Sequence, residues 1–240
     1  MRKIIEVIIL LGVASLMVGP LSGCNDKPKN DSKILNERVI EGEGDIEIIG
    51  EIWVDNWFSL ALNGKPLIED SVAYNTERSF NAERVTFPAT LPMTLAFELR
   101  DFKENDTGLE YIGTDRQQMG DGGMIAQFRD AATDKILGVT DKAMRCLVVH
   151  RAPLDRACAD EKTPVAGQGV CNFNKTAFPE NWTASNFDDS SWPMAVEHSS
   201  GEVSPKEGYE EIAWDQSAKL VWSADLVRDN TLLCRMTISD

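Results

Sequence analysis

The sequence has few positive charges, and they never gather in a run rich in Lys or Arg. Its 240 residues include 24 Lys and Arg against 39 Asp and Glu, which gives a formal net charge of −15 at pH 7. A surface with this balance repels phosphate backbones and anionic lipid head groups. We therefore exclude nucleic acid as a partner, and interpret the diffuse negative charge as a solubilising surface.

The common catalytic motifs are also missing. The sequence contains no Gly-x-Ser-x-Gly elbow, no His-Glu-x-x-His pair, no phosphate-binding loop and no Cys-x-x-Cys. His150 closes an apolar segment, so we interpret it as structural. Asp188 and Asp189 are neighbouring carboxylates in a very acidic chain and do not indicate glycosidase chemistry. The sequence favours a non-catalytic protein, and a hydrolase without a known motif is a third interpretation.

No apolar run is long and continuous enough to be a convincing bilayer span. The most apolar stretch covers residues 4–18, follows the basic pair Arg2 and Lys3, and is interrupted by Glu6. A basic start followed by a short apolar run is typical of an export signal. We therefore predict a signal peptide over residues 1–23.

The signal ends in Leu21-Ser-Gly-Cys24, which resembles the lipobox of bacterial lipoproteins. The resemblance implies that Cys24 is acylated, with palmitate among the lipids, and that the chain is cut just before it. An ordinary signal peptide with an incidental cysteine is the alternative. Acyl chains contribute about 0.8 kcal/mol per buried CH₂, enough to hold a soluble domain on a membrane when more than one is attached. Asn25 follows, which by the same resemblance favours the outer membrane, with the domain facing the periplasm or the cell surface.

Residues 24–45 are polar and rich in Asn, Asp, Lys, Glu and Gly. Such a segment cannot bury enough apolar surface to order itself, so we predict a flexible tether. Residues 46–240 are ample for one domain and marginal for two. We predict that they form a single domain.

Alternating apolar and polar residues predict β-strands through this domain. In the clearest case Phe58, Leu60 and Leu62 share one face, and Asn63-Gly64 then supplies a tight hairpin turn. Further short β-like runs cover residues 93–99, 124–128, 145–150, 219–222 and 232–238. No segment shows a sustained helical stripe. We predict an all-β fold, an antiparallel β-sandwich with jelly-roll connections.

Five cysteines are present, and the four besides Cys24 can be oxidised in an exported protein. Cys158 and Cys171 flank a loop that contains Pro and Gly, so a local bridge closes easily there. Cys146 and Cys234 lie in separate predicted strands and would join them. We predict these pairings, although sequence alone does not fix connectivity and the other pairings stay open.

Several motifs resemble the galactose-binding-domain-like jelly rolls that accompany glycoside hydrolases and cell-surface proteins. Residues 55–64 resemble an early strand and turn of that group; Trp182, the Phe187-Asp-Asp-Ser-Ser-Trp192 run and residues 221–235 resemble its closing half. The resemblance implies a jelly-roll fold and a carbohydrate ligand. It specifies the fold better than the function, because this scaffold carries many activities.

The aromatic residues of these motifs are interpreted as architecture. Phe187 and Trp192 are expected to insert into the core, with Asp188 and Asp189 bonding to the backbone of the turn between them. Sugar stacking on Trp192 is the weaker interpretation, since an aromatic residue on a strand is more often in the core. The same applies to Trp53, Trp57, Trp182 and Trp222.

The long polar connection over residues 100–123 is the candidate ligand site, because long loops on a rigid scaffold commonly carry function. Tyr111 offers a ring on which a sugar stacks, and Arg116 offers donors for hydroxyl or carboxylate groups. Asp121 lies between glycines, where it either contacts the ligand or stabilises a tight turn.

The same connection is rich in hard oxygen donors of the kind that Ca²⁺ prefers. Asp101, Asp106 and Glu110 are the candidate metal ligands, and calcium is the candidate ion. Their spacing does not follow an EF-hand, and a solvated acidic loop is the alternative.

We therefore predict a non-catalytic, lipid-anchored envelope protein whose jelly-roll domain binds a ligand, with carbohydrate as the first choice. The alternative is a structural or assembly subunit that binds another envelope protein. A sugar binder should present aromatic rings and polar groups in one concave patch, whereas an assembly subunit should present a broad apolar patch.

Overall fold

The computed structural model describes residues 35–239. In chain order the strands are β1 Leu35–Val39, β2 Ile46–Asp55, β3 Trp57–Leu62, β4 Lys65–Glu69, β5 Ala82–Ala89, β6 Met93–Arg100, β7 Leu109–Glu110, β8 Gln118–Met119, β9 Gly123–Asp130, β10 Ile136–Val139, β11 Arg145–Arg151, β12 Asn174–Lys175, β13 Val196–His198, β14 Leu220–Trp222 and β15 Asp229–Ile238. The α-helix α1 is Ser200–Val203, and 3₁₀ turns occupy Arg156–Asp160 and Tyr209–Glu211. Among these residues no helix is long and apolar enough to cross a membrane. The predicted signal peptide, Cys24 and the first part of the tether lie outside the described residues.

The strands form two large sheets arranged as a sandwich. The first sheet has the order β1-β5-β2-β9-β14-β13, with β10 also paired to β9, and the second has the order β12-β11-β15-β6-β3-β4. β7 and β8 form a separate two-stranded ribbon. The prediction of a mostly β, sandwich-like fold is confirmed.

The main core lies between the two sheets and follows from the alternation in each strand. Phe58 of β3 and Phe128 of β9 lie on either side of Phe97 of β6, with ring centroids 6.4 and 6.5 Å from it. All three rings are buried in one apolar cluster. Because burying such a side chain contributes about 1.5–3 kcal/mol, this cluster is the main force that holds the sheets together.

The predicted strands and the first hairpin are confirmed, since β3, β6, β9, β11, β14 and β15 cover the segments expected to be strands. Asn63 and Gly64 both have positive φ, 49° and 85°, as a tight hairpin requires. The Asn63 side chain accepts a hydrogen bond from the Thr94 amide at 2.8 Å, which ties the turn to β6.

Part of the expected tether belongs to the sandwich. Leu35–Val39 forms β1 and pairs in parallel with β5. Composition did not reveal it because polar contacts hold it more than apolar burial does: the side chains of Asn36 and Arg38 both donate to Glu83, each at 2.9 Å. Sheet pairing thus begins before residue 46.

Both predicted disulfides are present. Cys146 of β11 and Cys234 of β15 are direct partners in the second sheet and are bonded to each other. Cys158 and Cys171 close the local loop, 13 residues apart in sequence. The strand positions therefore selected the correct pairing.

The outer face of the second sheet is partly covered by the segment that contains the Phe187–Trp192 run. Trp192 is buried, but it packs on Val149 and Leu233 in a small cluster on that face and not between the sheets. Asp189 accepts a hydrogen bond from Arg235 Nε at 2.8 Å. The run is architectural, as expected, and it forms a lid on the sheet.

Candidate functional site

The chain passes from the first sheet to the second at a single residue, Asn56, between β2 and β3. The Asn56 side chain accepts a hydrogen bond from the Phe102 amide at 2.6 Å and donates to the Glu77 carbonyl at 3.1 Å. This corner fixes the loops that follow β4 and β6. It also separates Asp55, which is buried, from Trp57, which is half-buried.

The predicted ligand residues lie in the loop after β6, and two of them, Tyr111 and Arg116, contact each other. The Arg116 guanidinium carbon lies 4.0 Å from the centroid of the Tyr111 ring, so Arg116 covers one face of that ring. Asp121 forms an ion pair with Lys206, with Oδ2 and Nζ 3.2 Å apart. The structure therefore joins Tyr111 to Arg116 and engages Asp121 elsewhere, and their role in ligand binding stays a prediction.

The predicted calcium ligands are not assembled into one site. Asp106 is paired with Lys103 at 2.9 Å and with Lys175 at 3.2 Å, and Glu110 accepts from Gln118 at 3.0 Å. Within residues 35–239, no group of three or more His, Cys, Asp or Glu side chains could hold a metal ion. The structure does not gather Asp101, Asp106 and Glu110 into one site, since lysine ammonium groups pair with Asp106, and calcium binding stays a prediction.

A second set of charges, the acidic cluster, comprises Asp55, Asp101, Glu110 and Asp121 with Lys206. Lys206 Nζ lies 3.4 Å from Asp55 Oδ2 and is also paired with Asp121. Burial, reinforced by neighbouring carboxylates, raises the pKa of Asp55 and of Asp101 well above the usual range. Burial also raises the pKa of Glu110 to about 7. Burial therefore disfavours the ionised forms of these carboxylates, and Lys206 opposes that shift at Asp55.

Raised pKa values are common at functional sites, but the acidic cluster is nearly closed to solvent. Asp55 and Asp101 are each only 1% exposed, and Glu110 is 5% exposed. Only Asp121 and Lys206 offer substantial exposed surface. A large ligand does not reach the buried carboxylates, so the cluster is better explained as a polar support for the corner.

An open cavity lies instead on the outer face of the second sheet, around Arg100. The Arg100 cavity has a volume of about 230 Å³ and is lined by Tyr74, Glu98, Arg100, Lys103, Val149, His150, Lys175, Thr176, Phe178 and Thr231. Pockets for drug-sized molecules usually measure about 300–1,000 Å³. This cavity suits a single small ring or one residue of a longer polymer.

Arg100 is held rigidly in the wall of this cavity. Its guanidinium carbon lies 4.8 Å from the centroid of the Trp57 ring and 5.8 Å from that of Tyr74. Glu98 accepts from Arg100 Nε at 2.7 Å and lies 2.5 Å from Nη2. The Arg100 side chain is still 39% exposed. A cation in contact with two aromatic rings and with a fixed counterion is preorganised for a ligand.

The cavity lining also contains a buried histidine and further cations. His150 Nδ1 lies 3.0 Å from Asn230 Oδ1, and its ring stacks on Phe173 with centroids 5.8 Å apart. Burial, together with the charge of Lys103, lowers the pKa of His150 to about 4, so the imidazole is neutral at pH 7. Its place in the network supports the structural interpretation of His150. The charge of this part of the lining comes from the lysines.

A second cavity lies further along β6. The Trp182 cavity has a volume of about 360 Å³ and is lined by Ser59, Leu60, Ala61, Pro66, Leu67, Ile68, Glu69, Ala96, Trp182 and Thr183. Phe178 of the first cavity and Trp182 of the second are neighbours, with ring centroids 6.3 Å apart. We call the two cavities together the outer-face groove. It offers aromatic rings with hydroxyl and charged groups between them.

Sequence reasoning undervalued the groove, although part of the signal was visible. Trp57 alternates with the inward-facing Phe58, and Glu98 and Arg100 flank the inward-facing Leu99. All three were therefore on the outward face of the predicted strands. Trp182 had no such signal, because it lies in an irregular segment that only the tertiary structure brings onto β6.

Comparisons with protein-family models, with curated proteins and with solved structures find no match for this chain. No relative therefore supplies a ligand or a site. The resemblance to galactose-binding-domain-like jelly rolls rests on the sequence motifs, and the groove is interpreted from its own chemistry.

Proposed function

We propose that this protein is a non-catalytic, lipid-anchored envelope protein whose jelly-roll domain binds a carbohydrate in the outer-face groove. One observation carries the proposal: the partly exposed rings of Tyr74, Phe178 and Trp182 line the two cavities of the groove, together with polar side chains. Sugar rings present apolar C–H faces and a rim of hydroxyls. Aromatic surfaces next to a few fixed polar groups complement both features.

The cellular setting in this proposal is supported by the cysteines. Two disulfides are typical of chains that meet an oxidising compartment. The Leu21–Cys24 run supports acylation of Cys24, and Asn25 supports the outer membrane. Cys24→Ala is expected to move the protein from the membrane fraction to the soluble fraction. Retention in the membrane would contradict the anchor.

Binding is tested by a glycan-array screen of the full chain in detergent, followed by titration of each hit. Trp182→Ala removes the ring that lines the second cavity, and we expect it to weaken binding by about tenfold, which corresponds to about 1.4 kcal/mol. Trp214→Ala is the matched control. It removes another half-buried indole, which packs on Tyr209 near a 3₁₀ turn and lines neither cavity.

Three results would decide between sites. Loss of binding in Trp182→Ala but not in Trp214→Ala supports the groove. Loss in Tyr111→Ala with Trp182→Ala unaffected would move the site to the loop after β6. No binding to any glycan by the folded chain would contradict carbohydrate binding.

The second candidate function, assembly with another envelope protein, is favoured by one observation. Strand β13 is at the end of the first sheet, and its Val196 and the preceding Met194 are exposed apolar residues, at 37% and 49%. Exposed apolar side chains at the edge of a sheet are a common contact for another chain. Crosslinking from residue 194 to a protein of the envelope would support this candidate.

A further inference from the structure

We infer that the carbohydrate is acidic, with a uronate or sulfated residue whose anionic group is recognised at the Arg100 cavity. This inference rests on the proposed function and adds the class of ligand. It is carried by the charge and rigidity of the groups that line the cavity.

The charge of the cavity is opposite to that of the chain. The net charge of the protein is −15, yet the charged residues that line this cavity are Arg100, Lys103 and Lys175 against Glu98. Asp106 lies behind the lysines and offsets part of their charge. A local excess of positive charge on an acidic protein draws anions to that point and repels them elsewhere.

Arg100 has donors suited to an anion. Glu98 pairs with its Nε and Nη2 atoms, and the planar guanidinium carries a further nitrogen, Nη1, with two more N–H groups. Trp57 and Tyr74 restrict the movement of this fork. A fixed guanidinium binds carboxylate and sulfate oxygens with little loss of side-chain entropy.

Asp106 positions both lysines, and Lys175 remains open to solvent. Lys175 is 58% exposed and its Nζ lies 3.2 Å from Asp106 Oδ2, which leaves other faces of the ammonium group to water or a ligand. Phe178, also on this rim, is 42% exposed and offers a surface for the apolar face of the sugar. Ring contact and anion contact are thus available within one cavity.

Substitutions of Glu98 and of Arg100 should change binding in opposite directions. The Glu98 carboxylate lies beside the position of the ligand anion, so Glu98→Gln removes a repulsion and should strengthen binding of acidic glycans, by about threefold or more. Arg100→Gln should weaken the same binding by about tenfold. A structural role for this ion pair alone predicts that both substitutions change binding in the same direction.

The experiment measures affinities of the full chain for three sets of oligosaccharides: uronate oligomers, the same oligomers after carboxyl reduction, and sulfated oligomers on a neutral backbone. We expect binding to one or both anionic sets, at least about tenfold weaker binding to the reduced set, and weakening with added NaCl. The uronate and sulfated sets identify which anion is recognised. Lys142→Gln is the matched control, because it removes one exposed positive charge just before β11 begins. That end of the strand lies away from the Arg100 cavity.

Each result has one meaning. Equal or tighter binding to the reduced oligomers, or equal effects of Glu98→Gln and Arg100→Gln, would overturn the acidic ligand while leaving carbohydrate binding in place. Absence of binding to all three sets and to neutral glycans would overturn the proposed function itself. If Arg100→Gln does not fold, Lys175→Gln replaces it, with a smaller loss of about threefold expected from its exposed position.

Discussion

The acidic cluster and the Arg100 cavity differ in how far their charged side chains are buried. In the cluster, carboxylates are withdrawn from water and their pKa values rise, with Lys206 as a paired cation. In the cavity, Arg100 and Lys175 stay partly exposed, and contact with aromatic rings fixes Arg100. Burial makes the first a support for the fold. Exposure leaves the second able to exchange water for a ligand.

We expect the two regions to differ most when the lysine of each is replaced. Lys206→Met leaves Asp55 buried without its cation. We expect the free energy of unfolding to fall by about 3 kcal/mol. This is near the low end for a broken buried ion pair, because Lys206 is 31% exposed. Lys175→Met breaks a pair open to solvent and should cost less than about 1 kcal/mol. Urea unfolding at pH 7 measures both. Equal losses would mean that the two regions do not differ in this way.

A smaller effect should appear in the pH dependence of the acidic cluster. The pKa of Glu110 is about 7 in the folded protein, against an ordinary value of 4.5. Between these pH values the folded state binds more protons than the unfolded state, so stability falls as pH rises. Glu110→Gln should remove this loss and stabilise the protein by about 2 kcal/mol more at pH 8 than at pH 4.5.

Glu180→Gln is the control for that measurement, because Glu180 is exposed. It should change stability by less than about 0.5 kcal/mol at either pH. A Glu110→Gln effect that is the same at both pH values would show that Glu110 ionises normally.

The smallest effect is expected at Asp106, with the opposite pH dependence. Burial opposes the shift, but contacts with Lys103 and Lys175 lower the pKa of Asp106 from 3.8 to about 2. The folded state therefore binds fewer protons, so its added stability is present above pH 3.8 and is lost as pH falls toward 2. After allowance for solvent screening, Asp106→Asn should cost about 1 kcal/mol at pH 7 and much less near pH 2. A loss that is as large at pH 2 would contradict this assignment.

The sequence predicted those parts of the fold that depend on local pattern. Period-two alternation identified β3 and β6, and Asn63-Gly64 identified the hairpin turn between β3 and β4, because each depends on a few adjacent residues. The Cys146–Cys234 pairing followed once both residues were placed in strands. Strand β1 was not predicted, because its side chains are held by Glu83, which lies far along the chain.

The candidate site was harder to predict, because it depends on which strand face stays open. Trp53 and Trp57 look alike in sequence, yet the first is fully buried and the second stacks on Arg100 at the surface. Trp182 lies in the groove only because the irregular segment that covers the second sheet brings it there. The acidic loop, in contrast, looked like a ligand site in sequence, and its charges are largely paired within the protein.

The most direct test of the account is to map where a bound glycan touches the chain. We would titrate the full chain in detergent with the best-binding oligosaccharide and follow backbone amide chemical shifts by NMR. We expect the largest shifts in β6 around Glu98–Arg100 and in residues 175–183. Shifts centred on Tyr111 and Asp121 instead, with β6 unchanged, would contradict it.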